Sequence, residues 1–184
     1  MTVGRELELV ELVSPSGDAV GSSTVGQAHT APGSLHRAFS VLLFDEHGRT
    51  LLQQRAGVKT RFPLRWANAC CGHPAPGEAV IAAASRRLTE ELGVAGVHLI
   101  EVGIYTYKAR DTTTGQVEHE YDHVLVGKVS SDLTVTADPS EVAATRWAPG
   151  KAVTSGGEYA PWLSGVLDVA WTSTVLLDIS RQCG

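Results

Sequence analysis

Residues 72–94 read GHPAPGEAVIAAASRRLTEELGV. Ile81, Ala84, Leu88 and Leu92 recur at helical spacing, so the stretch predicts a helix over residues 78–92 with those four side chains on one face. Gly77 stands just before it, and Gly93 supplies the stop that tolerates a left-handed backbone. Glu90 and Glu91 then lie near the helix C-terminus, the unfavourable end of the helix dipole for carboxylates. Arg86 and Arg87, four residues earlier, offset part of that cost. For charged pairs alone, the ordinary reading is a solvated face with two salt bridges. The fixed spacing of Gly72, Glu78, Arg86, Leu88, Glu90, Glu91, Gly93 and Val94 tells against it. A carboxylate placed there suits Mg²⁺, which in turn bridges to a diphosphate.

Outward from this helix, the chain alternates strand and turn signals. Residues 7–13 alternate apolar and charged side chains and predict a strand, 14–18 (SPSGD) a turn, and 21–34, rich in Gly, Ser, Thr and Pro, a loop. Residues 38–44 and 51–55 predict two strands joined by a hairpin turn at 45–48. Residues 61–76 carry several Pro and Gly and predict mostly loop. Strands follow over 99–107, 121–129 and 145–147, and an apolar helix over 161–179. Strands mixed with two helices indicate a layered α/β sandwich. The division is an N-terminal strand and loop over 1–37, a core over 38–150 and a helical part over 151–184, all in one domain.

Length and composition restrict the function. A chain of 184 residues, 43% hydrophobic and 19% charged, suits one globular domain able to bury a core and hold a pocket. A net charge of −5 provides no basic field for nucleic acid. No apolar run reaches the length of a membrane span, and MTVGRELELV lacks the apolar core of a signal peptide. Three cysteines, Cys70, Cys71 and Cys183, make no disulfide framework, so a cytoplasmic setting is expected. Nothing in the chain fixes an oligomeric state.

Histidines and carboxylates offer a second chemistry. His29, His36 and His73 fall in loop-like sequence, and Glu118 and Glu120 share one face if their stretch is a strand. Three imidazoles and two carboxylates fill most of an octahedral shell, which suits Mn²⁺ or Mg²⁺, with Zn²⁺ as the further option. Scattered histidines are more often surface or core residues, and His47, His98, His119 and His123 read that way. A buried cysteine such as Cys71 is by default a small hydrophobe.

The spacing from Gly72 to Val94 resembles the Nudix box, with Arg87 standing where hydrolases of that family place a glutamate. An arginine there removes a metal ligand and adds a phosphate clamp, favouring holding a diphosphate over cleaving it. Four segments in order, AHTAPGSLHRAFS (28–40), WANACCGHP (66–74), RRLTEELG (86–93) and VEHEYDH (117–123), resemble type 1 isopentenyl diphosphate isomerase. The similarity runs from about Ala28 to Val129 and more weakly past Trp162. It implies a Nudix-type layered α/β/α sandwich with a mixed sheet. It also implies metal ligation by His29, His36, His73, Glu118 and Glu120, catalysis by Cys71 and Glu120, and Mg²⁺ held with the substrate diphosphate by Glu91. The implied partner is a small prenyl diphosphate, and the implied setting is isoprenoid biosynthesis.

The implied reaction interconverts isopentenyl and dimethylallyl diphosphates through a tertiary carbocation. It needs an acid and a base flanking the carbon skeleton, here Glu120 and Cys71. Tyr107 either handles a proton or is a half-buried strand tyrosine. An aromatic face stabilises the cation. APW (160–162) resembles the family segment that carries the cation-facing tryptophan, which makes Trp162 the candidate. Trp66 is expected to wall the pocket, with Trp147 and Trp171 as packing residues. Arg55, Lys59 and Arg87 align with positions that contact the diphosphate.

Two positions depart from the family pattern. Val25 stands where a lysine is expected, and Thr60 where the second of a lysine pair is expected, although Arg61 follows. Alternative readings are therefore a relative that cyclises a longer prenyl diphosphate by the same acid and cation chemistry, a Nudix hydrolase, and a non-catalytic diphosphate-binding domain. Arg87 argues against the hydrolase. The set Cys71, His73, Glu118 and Glu120 argues against loss of catalysis. A barrel-type flavin isomerase is excluded by length, since such barrels need about 250 residues.

Overall fold

The computed structural model describes residues 2–149 and 156–173. Alternating apolar side chains build a central sheet. A short helix α1 (Thr2–Glu6) leads into β1 (Leu9–Val13), which pairs with β2 (Ala19–Thr24) as an antiparallel hairpin. Helix α2 (Val25–His29) follows, then β3 (His36–Phe44), β4 (Arg49–Arg55), and the short β5 (Trp66–Ala67) and β6 (Cys70–Gly72). After α3 (Val80–Leu92) come β7 (Leu99–Arg110), β8 (Val117–Lys128), β9 (Val142–Pro149) and α4 (Leu163–Thr172).

Strand β3 organises the sheet. It lies antiparallel to β6 and parallel to β8, while β8 pairs antiparallel with β7, so the sheet is mixed. Side chains alternating along β3 feed two cores. Leu42 and Phe44, with Val124 and Val126, pack on Leu163, Val166, Leu167 and Ala170 of α4. Phe39, Val41 and Leu43, with Leu125, pack on Ala83, Ala84, Leu88 and Leu92 of α3. One helix covers each face, which is the layered α/β/α arrangement expected from the sequence. Each fully buried Leu contributes roughly 1.5–3 kcal/mol relative to exposure. Gly165 permits the close seating of α4, because a Cβ there would stand 2.1 Å from the Tyr105 ring.

Several boundaries differ from expectation. Residues 21–34 are not a plain loop: 19–24 form an edge strand and Val25–His29 a helical turn. The ladder to β1 supplies the strand's hydrogen bonds, so its exposed side chains need no apolar pattern, and Thr24 Oγ1 caps the helix by accepting from Gln27 N at 3.3 Å. Within 61–76 two short strands occur. Helix α3 begins at Val80 rather than 78, and Ile81 lies off its core face, 44% exposed. The buried face instead includes Arg87 and Glu91, polar residues that a hydrophobic count passes over. Strand β7 runs on to Arg110 and β8 begins at Val117 rather than 121, because the hairpin register continues through Tyr107↔Glu120 to Arg110↔Val117. Helix α4 is described to Thr172, and the expected continuation from 174 to 179, like Cys183, lies outside the described residues. No helix among the described residues is long and apolar enough to cross a membrane.

Candidate active site

Sheet register assembles the site. Glu118 and Glu120 alternate on β8 and both turn inward, as the strand reading required. Parallel pairing sets His36 beside Glu120 (His36↔Glu120), and β6 sets Cys71 beside Ser40 on β3. His29 comes from the end of α2, and His73 from the chain just past β6. The ligand atoms of His29, His36, His73, Glu118 and Glu120 all lie within 4.8 Å of one another.

This donor set fits a divalent ion. The Nδ1 atoms of His29 and His36 face the carbonyls of Val25 (2.7 Å) and Ser34 (2.8 Å), which orients both rings with Nε2 toward the cluster. His29 Nε2 lies 2.7 Å from Glu118 Oε2, and His73 Nε2 lies 3.0 Å from Glu120 Oε1. His36 Nε2 is buried and makes no hydrogen bond, standing 3.7 Å from Glu120. An orphaned ring nitrogen among four other ligand atoms, three of them on buried residues, is what a metal would satisfy. Burial pulls the His73 imidazole down to about 4, leaving it in the neutral form that ligates metal. Burial works to raise Glu118 and Glu120, but the imidazoles outweigh it, so both carboxyls are held below their usual range.

A wall of Tyr107, Cys71 and Trp162 adjoins the cluster. Tyr107 donates to Glu120 Oε2 at 2.7 Å, and burial followed by the Glu120 charge pushes its phenol well above the usual range, so it stays protonated. The Cys71 thiol is pushed up to about 12, first by burial. Trp162 is almost fully buried, with its ring centroid 5.9 Å from that of Tyr107 and 5.5 Å from the Arg55 guanidinium carbon. Cys71, Tyr107, Glu120 and Trp162 line one pocket, which Arg55, Lys59 and Arg87 also enter.

Two of these cations are matched by acids and the third by backbone carbonyls. Lys59 pairs with Glu141, while Arg87 pairs with Glu91, with Glu90 at 2.6 Å and with Glu141 at 3.7 Å. Arg55 spends Nε and Nη2 on the carbonyls of Arg61 and Phe62. Glu91 stands behind this wall, held by Arg87 and by Gln53 Nε2 at 3.2 Å, and lies outside the five-ligand cluster. Trp66 does not wall the pocket. It stacks under Arg146, whose guanidinium carbon is 4.1 Å from its ring centroid. Trp147 and Trp171 pack against the two cores, as expected.

Sequence reasoning missed four residues. Arg5 on α1 enters the pocket and pairs with Glu141 at 3.0 Å. Glu141 joins Arg5, Lys59 and Arg87 at the pocket wall. Asp122 continues the inward face of β8, and the two-residue period past Glu120 was the signal that marks it. Asn68 lies against Cys71 and Trp162, with no signal beyond its place in the cysteine segment.

The sequence matches the NUDIX domain family over residues 34–166. It is 60% identical over 166 residues to an isopentenyl-diphosphate Delta-isomerase of Nocardia farcinica, covering 88% of this chain and 93% of that one. It is 47% identical over 168 residues to the protein of the same name from Streptomyces coelicolor, covering 90% of this chain and 84% of that one. Among solved structures it resembles DR0079 from Deinococcus radiodurans, with a TM-score of 0.62 at 18% identity over 96% of this chain and 99% of that one. It also resembles a C. elegans Ap4A hydrolase, with a TM-score of 0.55 at 20% identity over 77% and 97% of the two chains. These two share the fold. The family implies a divalent metal, and the imidazole–carboxylate cluster is a group able to hold one. The chain belongs to the NUDIX family and, within it, to the isopentenyl-diphosphate Delta-isomerases.

Proposed function

We propose that this pocket interconverts isopentenyl and dimethylallyl diphosphates by protonation and deprotonation through a tertiary carbocation. Glu120, with Tyr107 donating to it, handles a proton on one side of the five-carbon skeleton, and Cys71 handles a proton on the other. Because the reaction runs both ways, each group gives a proton in one direction and takes one in the other. The Trp162 ring offers its face to the developing cation. The buried Trp162 ring and the partly buried Tyr107 ring shield that cation from water.

Arg55, Lys59 and Arg87 bind the diphosphate, and Glu91 would hold the Mg²⁺ that comes with it. His29, His36, His73, Glu118 and Glu120 would hold the second divalent ion, Mn²⁺, Mg²⁺ or Zn²⁺. Such an ion would supply positive charge that tunes the acidity of the Glu120 carboxyl. The observation that carries this reading is the Tyr107–Glu120 pair and the Cys71 thiol lining one pocket, beside a five-donor cluster.

The test is incubation of metal-loaded protein with isopentenyl diphosphate in D₂O, followed by NMR. Dimethylallyl diphosphate carrying deuterium is the expected product. Folded, metal-loaded protein that leaves isopentenyl diphosphate unchanged would reject the reading.

A further inference from the structure

We propose that Asn68 is a positioning residue that holds the Cys71 thiol and the Trp162 indole in register through one side-chain oxygen. This rests on the roles proposed above for Cys71 and Trp162.

Asn68 lies between β5 and β6 and is fully buried. A primary amide offers two N–H donors and one oxygen with two lone pairs. Asn68 Nδ2 donates to the carbonyl of Val41 at 3.2 Å and to that of Cys70 at 2.7 Å. Those two carbonyls fix which way the amide faces, since a flipped amide would set Oδ1 against two acceptors. Oδ1 therefore points the other way, where it accepts from Cys71 Sγ at 3.1 Å and from Trp162 Nε1 at 3.1 Å. An indole nitrogen can only donate, so the same orientation is demanded from the tryptophan side.

All four hydrogen-bonding positions of the amide are thus used, in a dry environment where an unmade bond costs about 1–3 kcal/mol. Main-chain bonds between Trp66 and the segment at Glu158 and Ala160 align the two stretches of chain. They leave the rotamers of the thiol and the indole to side-chain contacts. The thiol is bracketed on its other side by Ser40 Oγ at 3.8 Å, which itself donates to Asp122 Oδ2 at 2.7 Å. Asn68 is the atom-level link between the group that moves a proton and the ring that faces the cation.

The substitution Asn68→Leu keeps similar volume and removes both sets of bonds. Misplacing a reacting group by about 1 Å costs on the order of 100-fold in rate, so kcat should fall by roughly 10- to 100-fold. KM for isopentenyl diphosphate should move by less than about two-fold, since the phosphate-binding cations make no bond to the amide. A double-mutant cycle with Trp162→Phe, which deletes the indole N–H, adds a readout that simple destabilisation would not move. The Asn68→Leu loss should be several-fold smaller in the Trp162→Phe background than in the wild type. If Asn68→Leu fails to fold, the cycle is run with Asn68→Ala. Unchanged kcat, or a loss equal in both backgrounds, overturns the positioning role while wild-type turnover stands. Absence of turnover in the wild type removes the role together with the reading on which it rests.

Discussion

Glu118, Glu120 and Asp122 project from one face of β8 into a buried space, and each is compensated differently. His29 and Arg61 face Glu118, His73 and Tyr107 face Glu120, and Ser40 donates to Asp122. Burial, reinforced by the Glu120 charge, pushes the Asp122 carboxyl well above the usual range and keeps it neutral. In the proposed mechanism the two groups that carry protons are Glu120 and Cys71, both of which line the pocket. Replacing either, as Glu120→Gln or Cys71→Ala, should lower turnover by about 10²–10⁴-fold. Circular dichroism should be unchanged, and a variant with normal rate would remove that residue from the mechanism. At this scale the sequence marked residues through the spacing of its motifs. It did not mark Asn68, Arg5 or Glu141, because each is defined by a partner remote in sequence. Asn68 meets Trp162 ninety-four positions away, and Glu141 meets Lys59 eighty-two away.

Helix α3 shows what local sequence can and cannot specify. Gly93 ends it in the left-handed region at φ 67°, as the sequence required, and its N–H bonds back to Thr89. A Cβ at this position would sit 3.0 Å from Thr136 Cβ. Gly93→Ala therefore combines a left-handed alanine with a steric contact and should lower unfolding stability by about 1–2 kcal/mol. Urea denaturation would show this as a lower midpoint with unchanged slope, and an unchanged midpoint would refute it. The helix's inward face was misjudged at Ile81, because burial of Arg87 and Glu91 depends on Glu141, Gln53 and Arg5 arriving from elsewhere in the fold. The edge strand β2 was missed for a similar reason. Its hydrogen bonds come from β1, and its exposed side chains carry no periodic signal.

Across the whole molecule, the metal cluster joins α2, β3, the chain after β6, and β8. An ion held there would tie the N-terminal segment to the sheet as well as serve the proposed chemistry. A ligand at 100 times its Kd adds about 2.7 kcal/mol of stability. For a chain of this size each kcal/mol corresponds to roughly 2–4 °C. Chelation should thus lower the melting midpoint by about 5–10 °C and abolish turnover, and adding back a divalent ion should restore both. A midpoint unmoved in verified metal-free protein would sink the assignment of the five ligands.

The sequence by itself determined the alternation of strands and helices and the α3 motif with its glycine stop, and its resemblance to a known family nominated the candidate ligands and proton carriers. The elements and the stop depend on periodicity and backbone preference, which act within a few residues, and the nominated residues depend on short motifs that match the family. Only the tertiary structure decided that β3 lies parallel to β8 and beside β6, bringing His36, Glu120 and Cys71 to one wall. It also decided how each cation is matched, and that Asn68 spans the thiol and the indole. Strand pairing and burial join residues far apart in the chain, and the energy of a buried polar group depends on the partner that arrives there rather than on its neighbours in sequence.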